Sequence, residues 1–194
     1  MSDMFSKKKW YISEEPGFSK LHEAYTLLDP EDGKKVLGKA IEEIKTFDKL
    51  KKLFLDRGLI PLHVRLNDEN GQTLMTLDRK GCTWSTPIEV LDAKGNRIGA
   101  IRQAWFSLSG KLSLTGPAGE SIGTIDADTC CGKKYTYVDG NGKQVGTITH
   151  QWKGYSREWL TTTDDWMVEL TEDQTRAPLL LAGALAVDLL FHET

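Results

Sequence analysis

A histidine beside a carboxylate is the simplest acid–base pair a protein can build, and this chain offers one candidate. His150 and Gln103 each fall four residues after a glycine, Gly146 and Gly99, and so share that glycine's face on an extended strand. Asp188 lies in APLLLAGALAVDLLF, the apolar segment such a face would surround. Without an open pocket the three read as an interior hydrogen-bond set, because a buried carboxylate requires a partner. Other chemistry lacks its spacing. The four histidines, His22, His63, His150 and His192, show no metal-ligand pattern, and no GxSxG elbow or HExxH helix occurs. Gly140, Gly142 and Gly146 imitate a phosphate loop, but they join YTYV to VGTI and open no helix that could receive a pyrophosphate. Cys82, Cys130 and Cys131 contain no CxxC pair and make a poor zinc site. The chain reads as a non-enzyme without an obligatory cofactor.

A repeat sets the elements that position these residues. Gly71, Gly95, Gly119 and Gly142 open the phrases GQTLMTL, GNRIGAI, GESIGTI and GKQVGTI, and a looser copy, GKKVLGKA, starts at Gly33. A period of about 24 residues is two strands and two turns, so the chain is a series of hairpins. Alternation places Gly99, Ile101, Gln103 and Trp105 on one face, and Gly146, Ile148, His150 and Trp152 on another, with Gly123 and Ile125 in the same register. A glycine inside a strand weakens it unless something approaches closely, so a body packs against these faces. That body is Ala177–Phe191. A helix of that length spans about 22 Å, against about 30 Å for a bilayer core, and Asp188 would be costly at the bilayer centre. The expected fold is therefore mainly β: a closed antiparallel barrel around its own C-terminal helix. Leu180, Leu181, Gly183, Leu185, Asp188 and Leu189 form the helix core, and Gly99, Gln103, Gly123, Gly146 and His150 the barrel interior.

The interval from Gly33 to Gly71 exceeds the hairpin period, and TFDKLKKLFLDR fills it with an expected helix over 46–57. Phe47, Leu50, Leu53 and Phe54 form its apolar stripe, with Lys49, Lys51 and Lys52 mostly opposite. The helix either covers one edge of the sheet or touches a membrane surface. Lys7, Lys8, Lys9 and Trp10 are a second candidate lipid contact. Trp105, Trp152, Trp159 and Trp166 read as core or rim residues rather than an interfacial belt. A flexible tail over 1–9 and one domain over 10–194 account for the 194 residues. A net charge of −3 argues against a nucleic-acid partner. The opening residues carry no apolar signal segment, so the expected compartment is the cytoplasm, peripheral to the inner face of a membrane.

From about Leu62 onward the chain resembles the phospholipid scramblase family. The resemblance runs through PLHVRLNDENGQTLMTLDR, IEVLDAKGNRIGAIRQAW, the Cys130-Cys131-Gly132 step, VGTITHQWKGYSREWLTTTDDW and AVDLLFHE. It implies a tubby-like barrel of about twelve strands around a hydrophobic C-terminal helix. It also implies a phospholipid-interacting protein associated with calcium-dependent movement of lipids between leaflets. The alternative is a soluble interaction or regulatory scaffold with the same barrel. The family's calcium segment aligns with Thr162–Asp173, where Asp164, Asp165, Glu172 and Asp173 supply carboxylates; its first acidic position is Thr162 here, and a hard cation wants six or more oxygens. The family's palmitoylated cysteine cluster is reduced to Cys82, too little for stable anchoring alone. Its basic nuclear-import segment aligns with GTITHQWKG, which retains Lys153 as its charge.

Overall fold

The structure is a computed structural model describing residues 3–15, 24–32, 35–43, 61–80, 86–103, 110–128, 133–151, 165–171 and 174–191. Twelve strands follow one another: β1 (Lys9–Glu14), β2 (Ala24–Asp29), β3 (Lys35–Glu42), β4 (Leu62–Asp68), β5 (Thr73–Arg79), β6 (Ile88–Asp92), β7 (Arg97–Gln103), β8 (Leu112–Thr115), β9 (Ser121–Ala127), β10 (Lys134–Asp139), β11 (Gln144–Gln151) and β12 (Asp165–Leu170). A helix, α1 (Ala177–Phe191), completes the chain. Each strand pairs antiparallel with its sequence neighbours, and β1 pairs with β12, so the sheet closes and leaves no open edge.

The repeated glycines mark one turn used four times. In the β10–β11 turn the Gly142 N–H donates to the Asp139 carbonyl at 3.0 Å, while Asp139 Oδ1 accepts from the N–H groups of Asn141 (2.9 Å) and Lys143 (3.0 Å). Gly142 has φ +81°, a left-handed conformation that a side chain would strain. Asp68 with Gly71 and Asp92 with Gly95 repeat this arrangement. The β8–β9 turn starts at Gly116 and moves the carboxylate to Glu120, whose Oε2 accepts from the Ala118 N–H at 3.0 Å. At two of the turns the donors favour the ionised acid: the Asn96 amide and neighbouring N–H groups lower the Asp92 pKa, and the Lys143 and Asn141 N–H groups with Arg176 lower that of Asp139.

These turns sit at one end of the barrel, where α1 also begins; Arg176 lies 3.8 Å from Asp139 there. The helix leaves at the opposite end, where Phe191 stacks on Tyr135 with ring centroids 6.3 Å apart. Between the ends the described interior is mainly apolar. Leu180, Leu181, Ala182, Leu185, Ala186, Val187 and Leu189 are buried against Ile12, Leu27, Val64, Leu77, Val90, Ile125, Ile148 and Val168 in one continuous core.

Close approach of helix and wall explains two of the three inward glycines. A Cβ on Gly99 would lie 2.6 Å from Leu179 Cδ2, and one on Gly146 2.9 Å from Leu180 Cδ2. Gly123 differs from expectation: its Cβ would meet the Tyr137 ring and the Val138 carbonyl on β10, so it relieves crowding within the wall rather than against the helix. On the helix side Gly183 faces the Ile125 side chain. The obstruction differs in kind between sites. Gly99→Ala also places its Cβ 2.6 Å from the Thr115 carbonyl oxygen, which cannot move cheaply, whereas Gly183→Ala meets only the tip of Ile125. We expect Gly99→Ala to lower stability by about 1–3 kcal/mol. Gly183→Ala should be near neutral, because alanine gains about 1 kcal/mol of helix propensity over glycine. Urea-denaturation midpoints of the two variants check the difference.

One expectation changes. The tail expected over 1–9 is instead structured from Asp3: Asp3–Ser6 forms a 3-10 turn that buries Met4 and Phe5 against the barrel, and β1 begins at Lys9. Apolar side chains at these positions gain more from covering the barrel end than from solvent. The helix expected over 46–57, with Lys49, Lys51 and Lys52, lies outside the described residues.

Candidate functional site

Among the described residues, a polar constellation centred on Asp188 lies near the helix-exit end, and Glu42 and Arg79 are further buried polar side chains. The Asp188 carboxylate, 4% exposed, accepts a hydrogen bond from the Tyr25 hydroxyl at 2.6 Å and from Trp166 Nε1–H at 2.8 Å. β2 and β12 flank β1 in the sheet and bring these donors from residues 25 and 166 onto one helix position. Both are inward by strand alternation: Tyr25 with Leu27, and Trp166 with Val168 and Leu170. Burial and then the Asp188 charge push the Tyr135 phenol up to about 12, so it stays protonated at neutral pH.

Asp188 was expected to find its partners in Gln103 and His150. Those residues are half-buried at the strand ends, and the His150 ring packs edge-on to Trp166 with centroids 4.9 Å apart. The reading from the repeat favoured strands that carry the glycine phrase. β2 and β12 carry none, although their own alternation held the signal. The carboxylate, phenol and indole tie the helix to β2 and β12.

The candidate lipid contacts at the N-terminus divide. Trp10 is fully buried and donates its Nε1–H to the Met4 carbonyl at 2.9 Å, so it belongs to the core rather than to a lipid-facing surface. Lys7 reaches the buried Asp29 at 2.9 Å; this pairing raises the Lys7 pKa and lowers that of Asp29. Lys9 lies 3.7 Å from Glu31 and 3.6 Å from Glu169. Lys8 is exposed. A surface-directed triplet would have offered three charges to a lipid headgroup, and the fold commits Lys7 and Lys9 to carboxylates of its own.

Of the four candidate calcium ligands, Asp165 is described, and Asp164, Glu172 and Asp173 lie outside the described residues. Asp165 is fully buried, and its two oxygens accept from Tyr11 Oη (2.6 Å) and Ser13 Oγ (2.7 Å) on β1. Burial and this acceptor push the Tyr11 phenol well above its usual range. Each Asp165 oxygen thus accepts one hydroxyl from β1. Among the described residues no group of three or more His, Cys, Asp or Glu side chains is arranged to hold a metal.

The outer wall is studded with ion pairs, Lys39 with Glu15 (2.6 Å), Arg65 with Glu43 (3.0 Å), Lys111 with Asp126 (2.9 Å) and Lys134 with Asp128 (3.3 Å), and His63 Nδ1 hydrogen-bonds Asp78 at 3.2 Å. A barrel with charges outside and an apolar, helix-filled interior has the polarity of a water-facing domain, opposite to a barrel whose wall faces lipid. Among the described residues no helix is long and apolar enough to cross a membrane.

Closed barrel, threaded helix and charged wall together define a helix-filled barrel domain. A Scramblase family model matches residues 31–194, and the chain belongs to that family. The match begins after β1 and β2, which the barrel nevertheless needs for closure. Among curated proteins, the chain is 25% identical over 149 residues to the Homo sapiens protein named phospholipid scramblase 1, covering 69% of this chain and 47% of that protein. It is 24% identical over 148 residues to the Mus musculus protein of the same name, covering 69% and 45%. The chain thus spans less than half the length of these relatives. No solved structure matches.

Proposed function

We propose that the chain is a non-enzymatic phospholipid-binding protein that meets the membrane peripherally, with transfer of phospholipids between leaflets as the activity suggested by its relatives' name. The observation that carries the peripheral reading is the barrel's polarity. Its helix is spent on the core, and its wall is charged, so neither supplies a spanning element. Contact with lipid must then come from an end or a loop surface. Cysteines without a CxxC pair suit the reducing, cytoplasmic side of a membrane.

Flotation with vesicles of phosphatidylcholine and phosphatidylserine tests the binding. The protein should co-float at low ionic strength and separate as salt rises. Absence of flotation at low ionic strength would defeat the reading in favour of a soluble interaction scaffold. Translocation is then read from labelled-lipid exchange in vesicles, with and without added calcium.

A further inference from the structure

The start of the chain closes over the start of its last element. The Asp3–Ser6 turn lies against both Gln174–Arg176 and α1, so the N-terminal residues cover the head of the core helix at the turn end. We propose that Asp3–Lys8 is a strap that opens as a unit while the barrel stays closed, uncovering the start of α1 and an apolar seat on β3. Such an opening needs no lipid.

The strap is held differently from the wall. Among the described residues, backbone bonding to the sheet reaches no further towards the N-terminus than Lys8, whose carbonyl accepts from the Leu170 N–H at 2.7 Å. The residues before it are attached mainly through side chains. Met4 Cε fills a notch at Gly38, where a Cβ would lie 2.5 Å from it and also against the Asn67 carbonyl. Gly38 thus joins Gly99 and Gly146 as a glycine that admits a side chain to the wall, but the side chain comes from the N-terminus and not from the helix. The Met4 carbonyl accepts from Trp10 Nε1–H at 2.9 Å, and Lys7 reaches Asp29 on β2 at 2.9 Å.

Those last two ties lie towards β1 and β2. Towards β3 and β4 the packing is incomplete, and a cleft of about 150 Å³ is lined by Asp3 and Met4 of the strap and by Lys35, Leu37, Asp68 and Asn70 of the rim. A cover tied on one side and loose on the other is hinged. Burial of Met4 and Phe5 makes the closed form the resting one, while a segment with few backbone bonds opens at lower cost than a strand inside a ladder.

Two indoles report the two kinds of opening. Lifting the strap frees the Trp10 N–H from Met4, whereas the Trp166 N–H, bonded to Asp188 inside the barrel, is freed only when the wall parts. Hydrogen exchange of both indole protons, followed by NMR on the full chain across sub-denaturing urea, tests the strap. The Trp10 proton should exchange at least about a hundredfold faster than that of Trp166, at a rate that urea scarcely changes, while urea speeds Trp166 exchange as it lowers global stability. Met4→Ala, which empties the Gly38 notch, should speed the Trp10 proton at least about tenfold and keep its urea independence. Exchange of the Trp10 proton at the Trp166 rate, or with the Trp166 urea dependence, would overturn the strap and make Asp3–Lys8 part of the barrel's single cooperative unit. An unchanged Trp10 rate in Met4→Ala would overturn it as well.

Discussion

A chain ending at Thr175 is expected to give no folded, soluble barrel. Deletion of α1 removes the fully buried side chains of Leu180, Leu181, Leu185, Val187 and Leu189 from the centre of the sheet. At about 1.5–3 kcal/mol for each such side chain, the lost burial is on the order of 10 kcal/mol. The net stability of a domain is about 5–15 kcal/mol, so this one element accounts for most or all of it. The wall cannot compensate by collapsing, because twelve strands closed through β1 and β12 fix its diameter. The truncated chain should lose its cooperative thermal transition and appear in the insoluble fraction. A soluble truncation with the wild-type transition would show that the wall stands without the helix.

Replacing Asp188 by leucine should destabilise the barrel even though it removes a buried charge. Leucine spares the cost of burying a carboxylate, which alone would favour it. It also leaves the Tyr25 hydroxyl and the Trp166 indole N–H facing an apolar side chain, and each orphaned donor costs about 1–3 kcal/mol. The donors decide the sign: Asp188→Leu should destabilise by about 2–4 kcal/mol. Asp188→Asn, which keeps one acceptor oxygen, should cost less. Denaturant titration in a Tyr25→Phe background makes the cause visible, because Asp188→Leu should then cost at least about 1 kcal/mol less than in the wild type. Equal costs in both backgrounds would mean that the carboxylate does not act through Tyr25.

The wall was legible because its cause is local. Three turns pair an Asp with a left-handed glycine three residues on, and the fourth sets Glu120 beside Gly119, so the Gly71, Gly95, Gly119 and Gly142 phrases announce their hairpins without reference to the rest of the chain. The helix was legible for a related reason: fifteen residues apolar on nearly all sides, too short to span a bilayer, need an enclosing wall. Partner choice inside the barrel was not legible. Tyr25 and Trp166 meet Asp188 across 163 and 22 residues of sequence, a juxtaposition set by barrel closure. The same limit applies to Trp10 and Lys7, whose neighbours look like a basic, aromatic membrane contact in sequence. Folding Met4 over the barrel end turns Trp10 inward, and Asp29 takes Lys7.

The central claim is that the apolar C-terminal helix is the core of a water-facing barrel, including when the protein is on a membrane. Amide exchange of residues 180–189, followed in solution and on phosphatidylcholine–phosphatidylserine vesicles, measures this directly. These amides should exchange only through global unfolding, at the slowest rates in the chain, and vesicles should leave them no less protected relative to the wall. Fast exchange of this segment in solution, with protection appearing only when vesicles are added, would contradict the account and make the helix a membrane element.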